Sequence, residues 1–259
     1  MTGGERVEVA VHEGVAVLSL HHPPANFLSL ALASRLMEAL DALSDDQAHA
    51  IVVTGHGRAF SAGADPSALQ ALRTARAARR SAAAGQRMLD RLEQSTRIVI
   101  AAINGLCLGG GLELAMACHF RFCSDRARLG LPEVTLGLIP GLGGTQRLPA
   151  LVGTSRALSL VLTGDTVAAE EARDIGLVDE IVAAPDLMAA VLKFARRIAR
   201  RPPEVVAAAL ATIRSSGRGP RATGMRMEAE AFGRLCARSR AERRITPLWP
   251  PDPGTAVER

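Results

Sequence analysis

The stretch IAAINGLCLGGGLELAMACHF, Ile100 to Phe120, decides the fold. It is apolar almost throughout, yet it holds Asn104, His119, four glycines and one carboxylate, Glu113, with Arg97 and Arg121 flanking it. A membrane span of this length would put a charge near the bilayer centre, where it is costly, and consecutive glycines oppose a helix there. The stretch therefore reads as a buried strand over Ile98–Ile103, a Gly-rich turn, and a buried helix starting near Gly110. A carboxylate on a buried helix needs a partner or a task.

Outward from this centre, strands and helices alternate. Residues 7–11 and 15–20 read as two short strands joined by a turn at Glu13-Gly14. Ser29 can cap a helix over Leu30–Leu43, with Leu32, Leu36 and Leu40 on one face. Ala50–Thr54 reads as a buried strand and GHGRAFSAGADP, residues 55–66, as a loop. A helical region follows over Ser67–Glu93. Beyond the opening stretch, Phe120–Ser124 and Arg128–Leu131 read as strands and 132–144 as a loop with a short strand or turn inside it. Helices are expected at 145–151, 154–162 and 168–174, and a strand at Val178–Val182. From Pro185 onward the pattern is helical, broken at Pro202-Pro203 and at Gly217–Pro220, and the tail Thr246–Arg259 reads as irregular. This is an α/β chain with a helical appendage, divided near residue 195 into 1–195 and 196–259. No exact sequence repeat is visible.

The bulk numbers agree with a folded core. Of 259 residues, 48% are hydrophobic and 22% charged, but the only aromatics are one Trp and six Phe, so the core must be aliphatic. The formal charge is +5, and a single Lys, Lys193, stands among 31 basic residues. The arginine clusters at 73–80 and 196–201 lack interleaved aromatics for base stacking, so they read as solvated helix faces and nucleic acid as an unexpected partner. The four cysteines show no CxxC spacing and the N-terminus lacks an apolar signal core, which suits a reducing, cytoplasmic setting. No HExxH, P-loop or GxSxG pattern occurs, GLGGTQ fails as a dinucleotide fingerprint at Gln146, and no metal is expected.

Three segments remain: FSAGAD (Phe60–Asp65), GLCLGGGLELAMAC (Gly105–Cys118) and LPEVTLGLIPGLGGTQRL (Leu131–Leu148). Two Gly-containing loops can expose backbone N–H groups, and the second leads into a helix N-terminus, so together they can hold a developing oxyanion. Glu113 and Glu133 sit in apolar surroundings that would raise their pKa values and suit them to proton transfer. Each Glu alone reads equally well as a hydrogen-bonded structural carboxylate, and the glycines as tight turns.

Together with GDTVAAEEARDIGLVDEIV, these segments resemble the enoyl-CoA hydratase/isomerase (crotonase) superfamily over about residues 7–240, closest to the hydratases. The resemblance implies a ββα spiral core, a helical C-terminal oligomerisation region, and a homotrimer or dimer of trimers. It implies an acyl-CoA substrate and no cofactor beyond the coenzyme A of that substrate. The oxyanion donors fall on the N–H groups of Ala64 and Gly110, the catalytic glutamates on Glu113 and Glu133, and the loop lining the water site on Gly141. The PPAN segment, with Pro24 and Ala25, and the positions Ala62 and Asp65 match the family's coenzyme A contacts. With both glutamates present, the resemblance implies hydration of trans-2-enoyl-CoA. Isomerisation of a 3-enoyl-CoA, or binding of acyl-CoA or RNA without chemistry, are the rival readings. Pro66, Phe27 and the tail RAERRITPLWPPDP, with Arg243, Arg244 and Trp249, depart from the family pattern.

Overall fold

The structure, a computed structural model, describes residues 4–44, 47–216 and 219–241. It opens with a hairpin of β1 (Arg6–His12) and β2 (Val15–His21), antiparallel, with His12 opposite Val15. The two turn residues, Glu13 and Gly14, both have positive φ, which matches the twist of a two-residue hairpin. Helix α1 (Leu30–Ala42) follows, capped by the Ser29 hydroxyl accepting the Leu32 N–H. Then β3 (Ala50–Gly55) leads to β4 (Ala59–Ser61), α2 (Pro66–Ala71) and α3 (Ala75–Glu93). β5 (Ile98–Ile103) leads to β6 (Leu106–Leu108) and α4 (Gly110–Ala117). β7 (Phe120–Ser124) leads to β8 (Arg128–Gly130), a 3-10 turn (Pro132–Leu136), α5 (Gly144–Val152) and α6 (Thr154–Thr163). The chain continues through β9 (Thr166–Ala168), α7 (Ala169–Asp174), β10 (Glu180–Val182), α8 (Leu187–Ala199), α9 (Pro203–Ser215) and α10 (Arg221–Ala241).

Each ββ pair splits between two sheets. β3, β5 and β7 join a six-stranded sheet in the order β1-β2-β3-β5-β7-β10, while β4, β6 and β8 join a four-stranded sheet in the order β4-β6-β8-β9. Repeated ββα turns thus wind into the spiral expected from the resemblance. Every residue of β3 and β5 is buried, as befits parallel strands covered on both faces. α8 packs against them, and α1 packs against the hairpin. The core is aliphatic, as the composition demands: Leu18, Leu20, Leu32, Leu36, Ile51, Leu89, Ile100 and Leu112 are fully buried, with Phe60 the one aromatic among the largest such side chains.

The small sheet corrects the sequence reading. Residues 55–66 were expected as loop and 104–109 as turn, but each contains a three-residue strand, β4 and β6. Three residues are too few to show a two-residue period. β9 was missed for the same reason. The helical region expected over 67–93 holds two helices, because Thr74 caps a fresh start by accepting the Ala77 N–H. The chain forms two compact units, Met1–Val206 and Ala207–Arg259, and residue 195 lies within α8 of the first. The expected irregular tail, with Arg243, Arg244 and Trp249, lies outside the described residues, as do Gly217 and Arg218 of the expected break. Among the described residues no helix is long and apolar enough to cross a membrane.

Candidate active site

The glycines before Glu113 have separate reasons. Gly109, the N-cap of α4, has φ +50, a conformation side chains disfavour. A Cβ on Gly111 would lie 2.4 Å from the Ser61 carbonyl, so α4 approaches β4 too closely for any side chain there. These contacts press the AGAD loop against the start of α4. A Cβ on Gly110 would lie 3.6 Å from the Ala64 nitrogen, so the two expected oxyanion donors are neighbours. Gly110 opens α4, where the first N–H groups have no intrahelical acceptor. Ala64 bridges Leu28, but the hydrogen bond there runs from the Leu28 N–H to the Gly63 carbonyl.

Glu113 lies one turn into α4, whose residues are all buried. Its Oε1 accepts the N–H groups of Leu142 and Gly144, both at 2.7 Å. Burial pushes its pKa up to about 7; the Gly144 N–H works against this, the charge of Glu133 adds to it, and the Leu142 N–H and Arg147 oppose it. Glu133 comes from the 3-10 turn, and its Oε1 lies 3.0 Å from where a Cβ on Gly109 would stand. Burial raises its pKa too. Its Oε2 is buried and has no hydrogen-bond partner in the structure. Two carboxylates with raised pKa values therefore come from different elements, and the charge of Glu133 acts on Glu113. Such a pair can accept and deliver protons near neutral pH.

Gly141 is adjacent to Leu142, and its carbonyl accepts the Gln86 amide at 2.9 Å. Two of the expected coenzyme A positions, Ala25 and Ala62, are hydrogen-bonded neighbours. The peptide between Pro23 and Pro24 is cis, and the Ala62 N–H donates to the Ala25 carbonyl at 2.9 Å. Asp65 caps α2 by accepting the N–H and hydroxyl of Ser67, which hold its pKa below the usual range. Pro66 is the first residue of that helix, where proline's fixed φ and missing N–H do no harm. Phe27 is half-buried, edge-on to His22 at 6.3 Å. Among the described residues, one group offers three ligand atoms within 4.8 Å, on Glu5, His22 and Asp65. Hydrogen bonds account for it: Asp65 is a helix cap, Glu5 accepts the Ser29 hydroxyl, and His22 Nδ1 meets the Phe27 carbonyl at 2.8 Å.

The model of one family, Enoyl-CoA hydratase/isomerase, matches residues 10–246. The chain belongs to the enoyl-CoA hydratase/isomerase family. It is 41% identical over 231 residues to a protein named "Probable enoyl-CoA hydratase" from Bacillus subtilis, covering 88% of this chain and 89% of that one. It is 40% identical over 235 residues to "Crotonyl-CoA hydratase" from Syntrophomonas wolfei, covering 90% of each. Among solved structures, an enoyl-CoA hydratase from Bacillus anthracis superposes with a TM-score of 0.84 at 35% identity, covering 94% of this chain and 98% of that one. The "Fatty acid oxidation complex subunit alpha" of Idiomarina loihiensis is 47% identical over 176 residues, covering 66% of this chain and 25% of that longer protein.

Within this family member, sequence reasoning missed several residues that build the site. Asn26, buried and at φ +54, ties the PPAN loop down by donating to the carbonyls of His56 at 2.9 Å and Ala59 at 2.8 Å. Arg147 and Gln86 hold the loop that grips Glu113. Asn in a Pro-rich turn was the available signal for the first. Nothing local marked the others.

Proposed function

We propose that the chain is an enoyl-CoA hydratase, adding water reversibly and syn across a trans-2-enoyl-CoA to give a 3-hydroxyacyl-CoA. The observation that carries this reading is the pair of upshifted glutamates, buried Glu113 and half-buried Glu133, with Glu133 beside the Gly109 turn. The thioester oxygen accepts the N–H groups of Ala64 and Gly110. Glu113 as carboxylate and Glu133 as carboxylic acid orient the water. Its oxygen bonds to C3 while Glu113 takes its proton. The C2=C3 electrons move onto the thioester, whose enolate oxygen the two N–H groups stabilise. Glu133 then delivers its proton to C2, and exchange with solvent restores both groups. One such donor contributes about 3–4 kcal/mol to the barrier. Gly141 lines the water side, and Pro24, Ala25, Ala62 and Asp65 contact the coenzyme A portion. The substrate brings the only coenzyme, and no metal takes part.

The names of the relatives support a role in fatty-acid β-oxidation. Free, buried Cys107, Cys118 and Cys123 support a reducing, cytoplasmic setting. We assign oligomerisation, as a homotrimer or dimer of trimers, to the helical region 196–259. Exposed Ile213, Met225 and Phe232 on α9 and α10 support this, since a subunit interface would cover such large apolar side chains.

The test is the loss of conjugated-enoyl absorbance when the protein meets short, medium and branched trans-2-enoyl-CoA. Rapid loss that vanishes in Glu113→Gln supports the hydratase. Conjugation of a 3-enoyl-CoA without hydration would replace it with the isomerase reading. Coenzyme A thioester or RNA binding with no turnover would replace it with the binding reading.

A further inference from the structure

Arg147 lies on α5, three residues beyond Gly144, with its side chain only 11% exposed. Its guanidinium meets three groups. Nη1 donates to the Leu142 carbonyl at 2.9 Å, Nε to Glu93 at 2.9 Å, and Nη2 to Asp90 at 2.7 Å. Asp90 and Glu93 both belong to α3. The same helix holds the loop at two more points: Gln86 donates to the Gly141 carbonyl, and Leu142 fills the space beside Gly85, where a Cβ would lie 2.3 Å from Leu142 Cδ2. The carbonyls of 141 and 142 are thus anchored toward α3 and Arg147. The N–H groups of Leu142 and Gly144 serve Glu113.

We propose that Arg147, fixed by Asp90 and Glu93, is a positioning residue for Glu113, holding the 141–144 loop so that two N–H groups pin Oε1 and leave Oε2 for the attacking water. This rests on the hydratase reading for the water, but the link between Arg147 and Glu113 does not. The planar guanidinium fork suits the role, because its three nitrogens reach three separately placed acceptors, whereas a lysine carries all its donors on one nitrogen. The charged groups that act on Glu113 are Glu133, from the 3-10 turn, and Arg147, from α5. Asp90 and Glu93 stand behind Arg147 and offset part of its charge. Removing Arg147 therefore favours protonated Glu113, and neutralising Glu93 favours the carboxylate.

Three variants of the full chain test this: Arg147→Met, Arg147→Lys and Glu93→Gln. In Arg147→Met, kcat falls on the order of 10²-fold, as expected for a displaced catalytic group, KM changes little, and the acid limb of kcat/KM moves up. Arg147→Lys keeps the limb near the wild-type position but recovers only part of kcat. Glu93→Gln moves the limb down. Infrared titration of the Glu113 carboxyl, assigned by its loss in Glu113→Gln, reads the same shifts without turnover. A wild-type protein that hydrates nothing sinks the hydratase reading, and the infrared titration still decides the link to Arg147. If folded Arg147→Met shows an unmoved Glu113 titration, with activity lost only in step with Tm, Arg147 is merely structural. Should Arg147→Met not fold, an unmoved titration in Glu93→Gln overturns the proposal.

Discussion

Gly144 donates its backbone N–H to Glu113 Oε1 at 2.7 Å, and it is the space around Gly144 that permits this. A Cβ there would lie 3.0 Å from that oxygen and 2.8 Å from Pro140 Cβ. Gly144→Ala must therefore push the carboxylate or the loop aside. The expected result is a loss of kcat on the order of 10²-fold, with overpacking costing about 1–3 kcal/mol in denaturant unfolding.

Glu113 gives both activity and stability a pH dependence. In the proposed mechanism activity needs its carboxylate, so kcat/KM should fall as pH drops through about 7. Stability runs the other way. The group binds its proton more tightly folded, at about 7, than at the ordinary 4.5, so the folded state holds more protons between those values. Its contribution is fully present below 4.5 and is lost as pH rises through about 7. The shift corresponds to about 3 kcal/mol. Glu113→Gln keeps an acceptor for the two N–H groups but abolishes the titration. It should gain stability over wild type above pH 7 and little below 4.5, as urea unfolding across that range will read.

Glu133 differs from Glu113 in having a buried Oε2 with no hydrogen-bond partner in the structure. Its Glu133→Gln variant should fold normally yet lose about 10²–10⁴ in hydration rate, because in the proposed mechanism the proton for C2 then has no source.

Asn26 separates two effects at one position. Its side chain satisfies the carbonyls of His56 and Ala59, and its φ is +54. Asn26→Gly keeps the backbone conformation and loses the bonds, costing about 1–3 kcal/mol. Asn26→Ala adds the strain of a positive φ, so it should be the less stable of the two. Both should raise KM for enoyl-CoA more than they lower kcat, if the PPAN loop holds the coenzyme A portion as proposed. Thermal unfolding and initial rates check the pair.

The sequence alone marked the strands of the large sheet and singled out Glu113 and Glu133 as candidate acid and base. Its strands are runs such as Ala50–Thr54 and Ile98–Ile103, long and apolar enough to be recognised where both faces are buried. Glu113 stood out because a charge on an apolar helix is rare. Ser29 announced a helix start through its own chemistry. The tertiary structure decided the rest. β4, β6 and β9 are three residues each and exist because neighbouring strands complete their hydrogen bonds. The ββα repeat is likewise a repeat of pairing, not of residues. The grip on Glu113 comes from a loop 29 and 31 residues away, and that loop is held through Arg147 by Glu93 and Asp90, 54 and 57 residues back. Local pattern reports which face of an element is apolar. Which backbone N–H groups meet a carboxylate depends on long-range packing, and only the folded chain fixes that.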